Sequence, residues 1–222
     1  MRLHILPLIM LLAASASAQQ QQMKTRLMTL SLDRHVESLY FLNGGKAQPF
    51  TAERSGLGEP FAYTGTPRFI LRAKPEDFSS PPPLPPPVAS VDLPQQARMV
   101  MLVAGTGSGG KLKLAAYDIS PGRFQAGDYR VFNFSTKNLA MMIGQNRFAL
   151  RPGQDTIVSN SMLRDRVLDV FVRIAEERDG GMKKVYSSAW GHKPSKHHYV
   201  FLFNGSEDAS PVEIRRYSTY PE

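Results

Sequence analysis

Val167-Leu168-Asp169-Val170-Phe171-Val172-Arg173-Ile174-Ala175 decides the fold class. Leu168, Val170, Val172 and Ile174 share one side of a two-residue repeat; Val167, Asp169, Phe171 and Arg173 share the other. Successive side chains of a strand point to opposite faces, so this alternation builds one apolar face and one mixed face. A helix would scatter the same four aliphatics around its circumference. The reading is therefore strand.

The pattern continues outward. Asp128 to Phe134 alternates, and Lys111-Leu112-Lys113-Leu114 alternates after the continuous apolar run Met99 to Val103. Leu139 to Ile143, Arg147 to Leu150 and Thr156 to Val158 are short runs divided by Gly144-Gln145-Asn146 and Pro152-Gly153. Tyr199 to Phe203 ends at Asn204-Gly205, and Val212 to Tyr217 follows. About eight strands at this spacing predict an all-β protein, an antiparallel β-sandwich of immunoglobulin-like type, over residues 95–222. Short helices are expected only near 93–98 and 162–167.

Upstream, Leu27 to Leu32, Leu39 to Leu42 before Asn43-Gly44-Gly45, and Arg68 to Arg72 read as strands of a smaller β unit, 24–74, either separate or part of the same sandwich. Between the two lies 75–94, with Pro at eight positions including Pro81-Pro82-Pro83 and Pro85-Pro86-Pro87. Such a run favours extended polyproline helix and is barred from a sheet interior, so it is expected as a linker or a strap. Leu39-Tyr40-Phe41-Leu42-Asn43-Gly44 echoes Val200-Phe201-Leu202-Phe203-Asn204-Gly205, which alone does not establish a repeat.

The 222 residues are 42% hydrophobic and 21% charged, which excludes a wholly disordered chain. No Cys is present, which removes disulfides, zinc-thiolate sites, iron–sulfur clusters and a cysteine nucleophile. Residues 1–18 read as a secretory signal peptide: Arg2 and His4 open it, Ile5 to Ala14 is apolar, and Ala16-Ser17-Ala18 supplies the small residues for cleavage. Its apolar run is too short to span a bilayer, and no transmembrane span is expected after signal removal. The chain is expected to be exported to the periplasm or beyond, where nucleic acid is not a partner. Its formal charge of +8 then points to polyanions of the cell envelope, such as a wall polymer or an anionic lipid headgroup, or to an acidic envelope protein.

Three motifs bear on chemistry. Gly105-Thr106-Gly107-Ser108-Gly109-Gly110-Lys111 has phosphate-loop spacing, but Leu112 replaces the required hydroxyl residue and a strand pattern follows, so a hairpin turn is expected. His192, His197 and His198 lie within seven residues and are candidate metal ligands, although neighbours on a strand point apart and Lys193 and Lys196 repel a cation. Around them Lys183, Lys184, Tyr186, Trp190, Lys193, Lys196 and Tyr199 interleave cations with aromatics, a pattern suited to a binding surface. No serine-nucleophile elbow and no zinc-protease helix motif occurs.

Phe124-Gln125-Ala126-Gly127-Asp128-Tyr129-Arg130-Val131-Phe132-Asn133-Phe134-Ser135 resembles an F-x-A-G-x-Y-R-x-x-N-x-S segment of uncharacterised exported bacterial β-sandwich proteins. The resemblance implies a sandwich and no activity. Read physically, Gly127 turns the chain, Tyr129 and Val131 share a face, and Asn133 bonds neighbouring backbone. Glu37 to Asn43 resembles a phrase of periplasmic pilus-assembly chaperones, where it closes the first domain rather than opening it, so no residue is carried over.

These readings predict a non-catalytic, exported cell-envelope binding or scaffolding protein that needs no cofactor and uses the basic aromatic hairpin. The alternatives are a metal-binding protein or metal-assisted hydrolase at His192, His197 and His198, and an envelope assembly chaperone.

Overall fold

The computed structural model describes residues 22–122, 124–159, 169–178, 180–206 and 210–221. The expected signal peptide and the helix candidate near 162–167 lie outside them.

The regular structure of the described residues is nearly all strand and forms two sandwiches. In the first, β1 (Met23–Ser31) pairs in parallel with β7 (Met99–Thr106), and this pair is flanked by β4 (Phe61–Gly65) and β8 (Leu112–Asp118) in the order β4-β1-β7-β8. Opposite stand the hairpins β2 (Val36–Asn43) with β3 (Lys46–Ala52), and β5 (Arg68–Leu71) with β6 (Ala89–Asp92). Two backbone hydrogen bonds of 2.9 Å between Tyr40 and Arg72 join them, giving β3-β2-β5-β6.

The second sandwich repeats this plan. Here β9 (Tyr129–Asn133) pairs in parallel with β15 (His197–Asn204), between β12 (Asp155–Val158) and β16 (Val212–Thr219), in the order β12-β9-β15-β16. Its other sheet is β11-β10-β13-β14, from β10 (Leu139–Ile143), β11 (Asn146–Leu150), β13 (Asp169–Arg178) and β14 (Gly181–Gly191). Adding eight to each strand number of the first sandwich reproduces the second, with every parallel and antiparallel relation kept. The immunoglobulin strand order, A-B-E-D over C-F-G, is a different arrangement. The repeat is one of topology: the echoing segments at Leu39 and Val200 are β2 and β15, which are not equivalent strands.

Apolar faces dictate how the sandwiches stack. Val100, Leu102 and Ala104 of β7 point into the first sandwich with Leu27, Phe41 and Phe69. Val131, Val200 and Leu202 point into the second with Val172, Ile174 and Trp190. The other faces of these sheets are apolar too: Met28, Leu30, Met101 and Val103 meet Phe132, Tyr199 and Phe201 in a third core between the sandwiches. Phe201 stacks on Phe132 with ring centroids 5.0 Å apart. Four β-layers result, the inner two buried on both sides. A parallel pair buried on both faces reads as a continuous apolar run, which is why Met99 to Val103 shows no alternation.

Strand pairing divides the chain elsewhere than the composition suggests. Residues 75–94, expected as a linker between two units or as a strap on one sandwich, lie inside the first sandwich as the β5–β6 connection and include β6 itself. Strands β7 and β8, expected with the C-terminal sandwich, belong to the first instead: β7 pairs with β1, and β8 with β7. Proline cannot donate a ladder hydrogen bond, but it is accommodated in a connection outside the ladder, so the run marks an insertion and not a boundary. The equivalent β13–β14 connection has only residues 179–180. Among the described residues ten strands lie in 98–219 against about eight expected, and β14 is the one for which no run was named. Residues 93–98 are not helical: Pro94 opens a turn in which Gln96 has φ +64°. Gly105 to Lys111 is the expected hairpin connection, and β8 follows it. No helix among the described residues is long and apolar enough to cross a membrane.

If the seam between sandwiches holds the stack together, Phe201→Ala should remove about 3–5 kcal/mol from a single urea unfolding transition. Phe171→Ala, at a position 43% exposed, should remove less than about 1 kcal/mol.

Candidate functional site

The conspicuous polar cluster sits at one end of the second sandwich, where the turn between β14 and β15 meets β16. Alternation along β15 sends His198 inward and His197 outward. His197 stacks on Phe124 at 4.7 Å, on the side facing the first sandwich. His198 is buried and sits opposite Ser218 in the β15–β16 ladder.

Its hydrogen bonds fix its tautomer. Nε2 lies 2.9 Å from the Lys193 carbonyl, which can only accept, so Nε2 carries the proton. Nδ1 is then the acceptor, and the Ser218 hydroxyl donates to it across 2.9 Å. Tyr129 stacks on His198 at 4.7 Å and on His192 at 5.6 Å, and its hydroxyl is 3.0 Å from His192 Nδ1. His192 Nε2 is buried with no hydrogen-bond partner among the described residues.

Burial pushes the His192 imidazole below its ordinary pKa. Burial does the same to His198, the Lys193 carbonyl opposes it, and the nearby basic groups His192, Arg216 and His197 lower it further. Burial raises the Tyr129 phenol well above its usual range. At neutral pH all three are uncharged; Lys193, Lys196 and Arg216 are the cations at this end, and the Asp128 carboxylate lies close enough to His197 to oppose its lowering by burial. A pocket of about 180 Å³ opens here, lined by Tyr129, His198, Arg216 and Ser218 among others, with no carboxylate in its wall.

The predicted binding surface separates into three fates. Trp190 and Tyr199 are 1% and 2% exposed and belong to the core within the second sandwich and the core between sandwiches. They cannot present a face to a partner, because strand alternation turns each into an apolar layer. Tyr186 is half-buried and accepts the Trp190 indole N–H at 2.8 Å. Lys183 and Lys184 are exposed at the far end of β14 from the turn that carries Lys193 and Lys196, more than about 20 Å away at strand rise. Only Lys193 and Lys196 share the histidine end.

The three histidines do not converge as a ligand set. His197 faces away from His192 and His198, and both ring nitrogens of His198 are hydrogen-bonded. Asp118 and Glu176, acids that such a site could draw on, are engaged elsewhere: Asp118 accepts from Ser120, and Glu176 from Arg178 and Lys137. Among the described residues no group of three His, Cys, Asp or Glu side chains is placed to hold a metal ion.

Sequence spacing missed Tyr129, Arg216 and Ser218. Once β15 and β16 are registered from Asn204 opposite Val212, the hairpin delivers Ser218 to His198 and Arg216 to the same face. The quoted segment 124–135 behaves as its residues suggest. Gly127 has φ +85°, Tyr129 and Val131 share the inward face, and Asn133 Nδ2 donates to the Lys137 and Leu150 carbonyls.

No protein-family model matches the chain, and no curated protein is similar to it.

Because His192 and His198 are depressed when folded, the unfolded chain binds protons that these rings refuse. Their stabilisation is complete above about pH 6.5 and is lost as the pH falls toward their folded pKa values. The urea midpoint should therefore be lower at pH 5 than at pH 7.5. His35, exposed and raised by Glu53 and Glu37, opposes this weakly. His197, also lowered by burial, acts in the same direction, so replacing His192, His197 and His198 together by Gln should flatten the difference.

Proposed function

We propose that this is an exported cell-envelope binding protein that holds an anionic group at the histidine end of its second sandwich. The observation that carries the reading is the carboxylate-free pocket of Tyr129, His198, Arg216 and Ser218 beside the turn bearing Lys193 and Lys196. Arg216 is spread over the Trp190 ring, 4.7 Å from its centroid, and Lys196 stands 4.3 Å from the centroid of the exposed Tyr220 ring. Each cation thus rests on an aromatic support and leaves its donors facing outward. A phosphate or carboxylate there meets the Arg216 guanidinium, with the Lys193 and Lys196 ammonium groups carried by the adjoining turn. The net charge of +8 steers polyanions toward the molecule, and the apolar signal-like start of the chain supports export.

A second reading has one observation in its favour. Ser218, His198 and the Lys193 carbonyl stand in the order nucleophile, base and orienting acceptor. Acyl transfer at Ser218 would be revealed by covalent labelling with a fluorophosphonate that His198→Gln abolishes.

Binding of long-chain polyphosphate, followed by calorimetry, separates the surfaces. Lys193→Glu with Lys196→Glu should weaken it about ten-fold or more, with a smaller effect at high salt. Lys183→Glu with Lys184→Glu should change it less than about two-fold. Equal losses from both pairs would refer binding to net charge alone and remove the site assignment.

A further inference from the structure

The first sandwich carries a cleft that its counterpart's two-residue β13–β14 turn has no material to cover. The β5–β6 connection, residues 72–88, begins with a 3-10 turn at Pro75–Phe78 and returns as an extended proline-rich strap. Beneath it lies a cleft of about 390 Å³. The buried rings of Phe41, Tyr63 and Phe69 form its deep wall, and Phe78 and Leu84 come from the strap side. This volume is within the range that holds small organic ligands.

Arg72 sets the chemistry of the cleft. It is 6% exposed, and its guanidinium stands 5.3 Å from the Phe78 ring centroid. One terminal nitrogen donates to the Pro85 carbonyl in the strap, while Nε is buried with no partner among the described residues. A buried charged donor left unsatisfied is costly, so this position favours an acceptor that engages more of the fork. No acid lines the cleft. The second cation, Arg68, is at its rim and reaches Asp92 only at 3.8 Å, with both side chains mostly exposed.

We propose that the cleft beneath the strap is a binding site for an amphipathic carboxylate, a ligand with an apolar body ending in one carboxylate. The Pro85 carbonyl is a neutral, single-atom acceptor on Arg72. A carboxylate displaces it by offering two charged oxygens to the fork, Nε included, in a stronger paired arrangement. The apolar body lies against Phe41, Tyr63 and Phe69, and the displaced strap re-covers it through Leu84. Exposing Leu84, at 48%, has no use in a strap that only connects β5 to β6. This site is separate from the anion pocket of the second sandwich, and either stands without the other.

The test uses the full mature chain with dodecanoate and methyl dodecanoate as probes, followed by calorimetry below the micelle threshold. Dodecanoate should bind one per chain, and the methyl ester about ten-fold or more weaker. Arg72→Gln should abolish that preference for the acid. Ile70→Trp, which fills the half-buried wall while leaving Arg72 and its strap bond in place, should abolish binding of both probes, and it reads the site even where Arg72→Gln disturbs the strap. Absence of dodecanoate binding, equal binding of acid and ester, or binding untouched by Ile70→Trp would each overturn the proposal.

Discussion

Burial of both faces of a central parallel strand pair is the constraint on which the structure rests. A parallel pair such as β1 with β7, or β9 with β15, is the middle of a sheet whose two sides are both apolar. One side is covered by the sandwich's own second sheet. The other must find a surface of equal character, and each inner sheet offers the other that surface. Met28, Met101, Phe132 and Phe201 are therefore as buried as residues within a sandwich. Without disulfides, the stack is held by these three apolar layers, their ladders and a few polar contacts across the seam, such as Arg215 to the Leu32 carbonyl.

A shared topology leaves the differences between the halves to their connections. Strands β5 and β6 are joined by a proline-rich excursion, where β13 and β14 are joined by two residues. The excursion covers a cleft, and a two-residue connection is too short to do the same. Conversely, the turn between β14 and β15 brings Lys193, Lys196 and two buried histidines to one end of the second sandwich, while the equivalent residues 93–98 are tucked against β1 through the Arg26–Arg98 backbone bond. The scaffold is duplicated and its candidate sites are not.

The strands were legible because alternation is local. Val170, Val172 and Ile174 are buried as their spacing requires, and Asn43-Gly44-Gly45 makes the turn its residues call for, with Gly44 and Gly45 at positive φ. β14 was missed because Lys183-Lys184 and Ser187-Ser188 hide its apolar members on an exposed edge strand. The division of the chain was misread because proline content marks interruption of a ladder, not the end of a folding unit. Trp190 and Tyr199 looked like contact residues because aromatics among lysines suit both a surface and a strand that buries alternate positions. Only strand pairing, of β14 with β13 for Trp190 and of β15 with β9 for Tyr199, decides between them. The Ser218–His198 contact and the Arg72–Pro85 contact are non-local, and no spacing in the sequence announces either.

Amide hydrogen exchange on the full chain tests the four-layer account most directly. If the inner sheets are sealed on both sides, the slowest amides should lie in β1, β7, β9 and β15 together, exchanging with one common free energy set by global unfolding. A slowest set confined to one sandwich, or β9 and β15 exchanging as freely as the outer strands β10 and β13, would contradict the account and make the two sandwiches separate bodies.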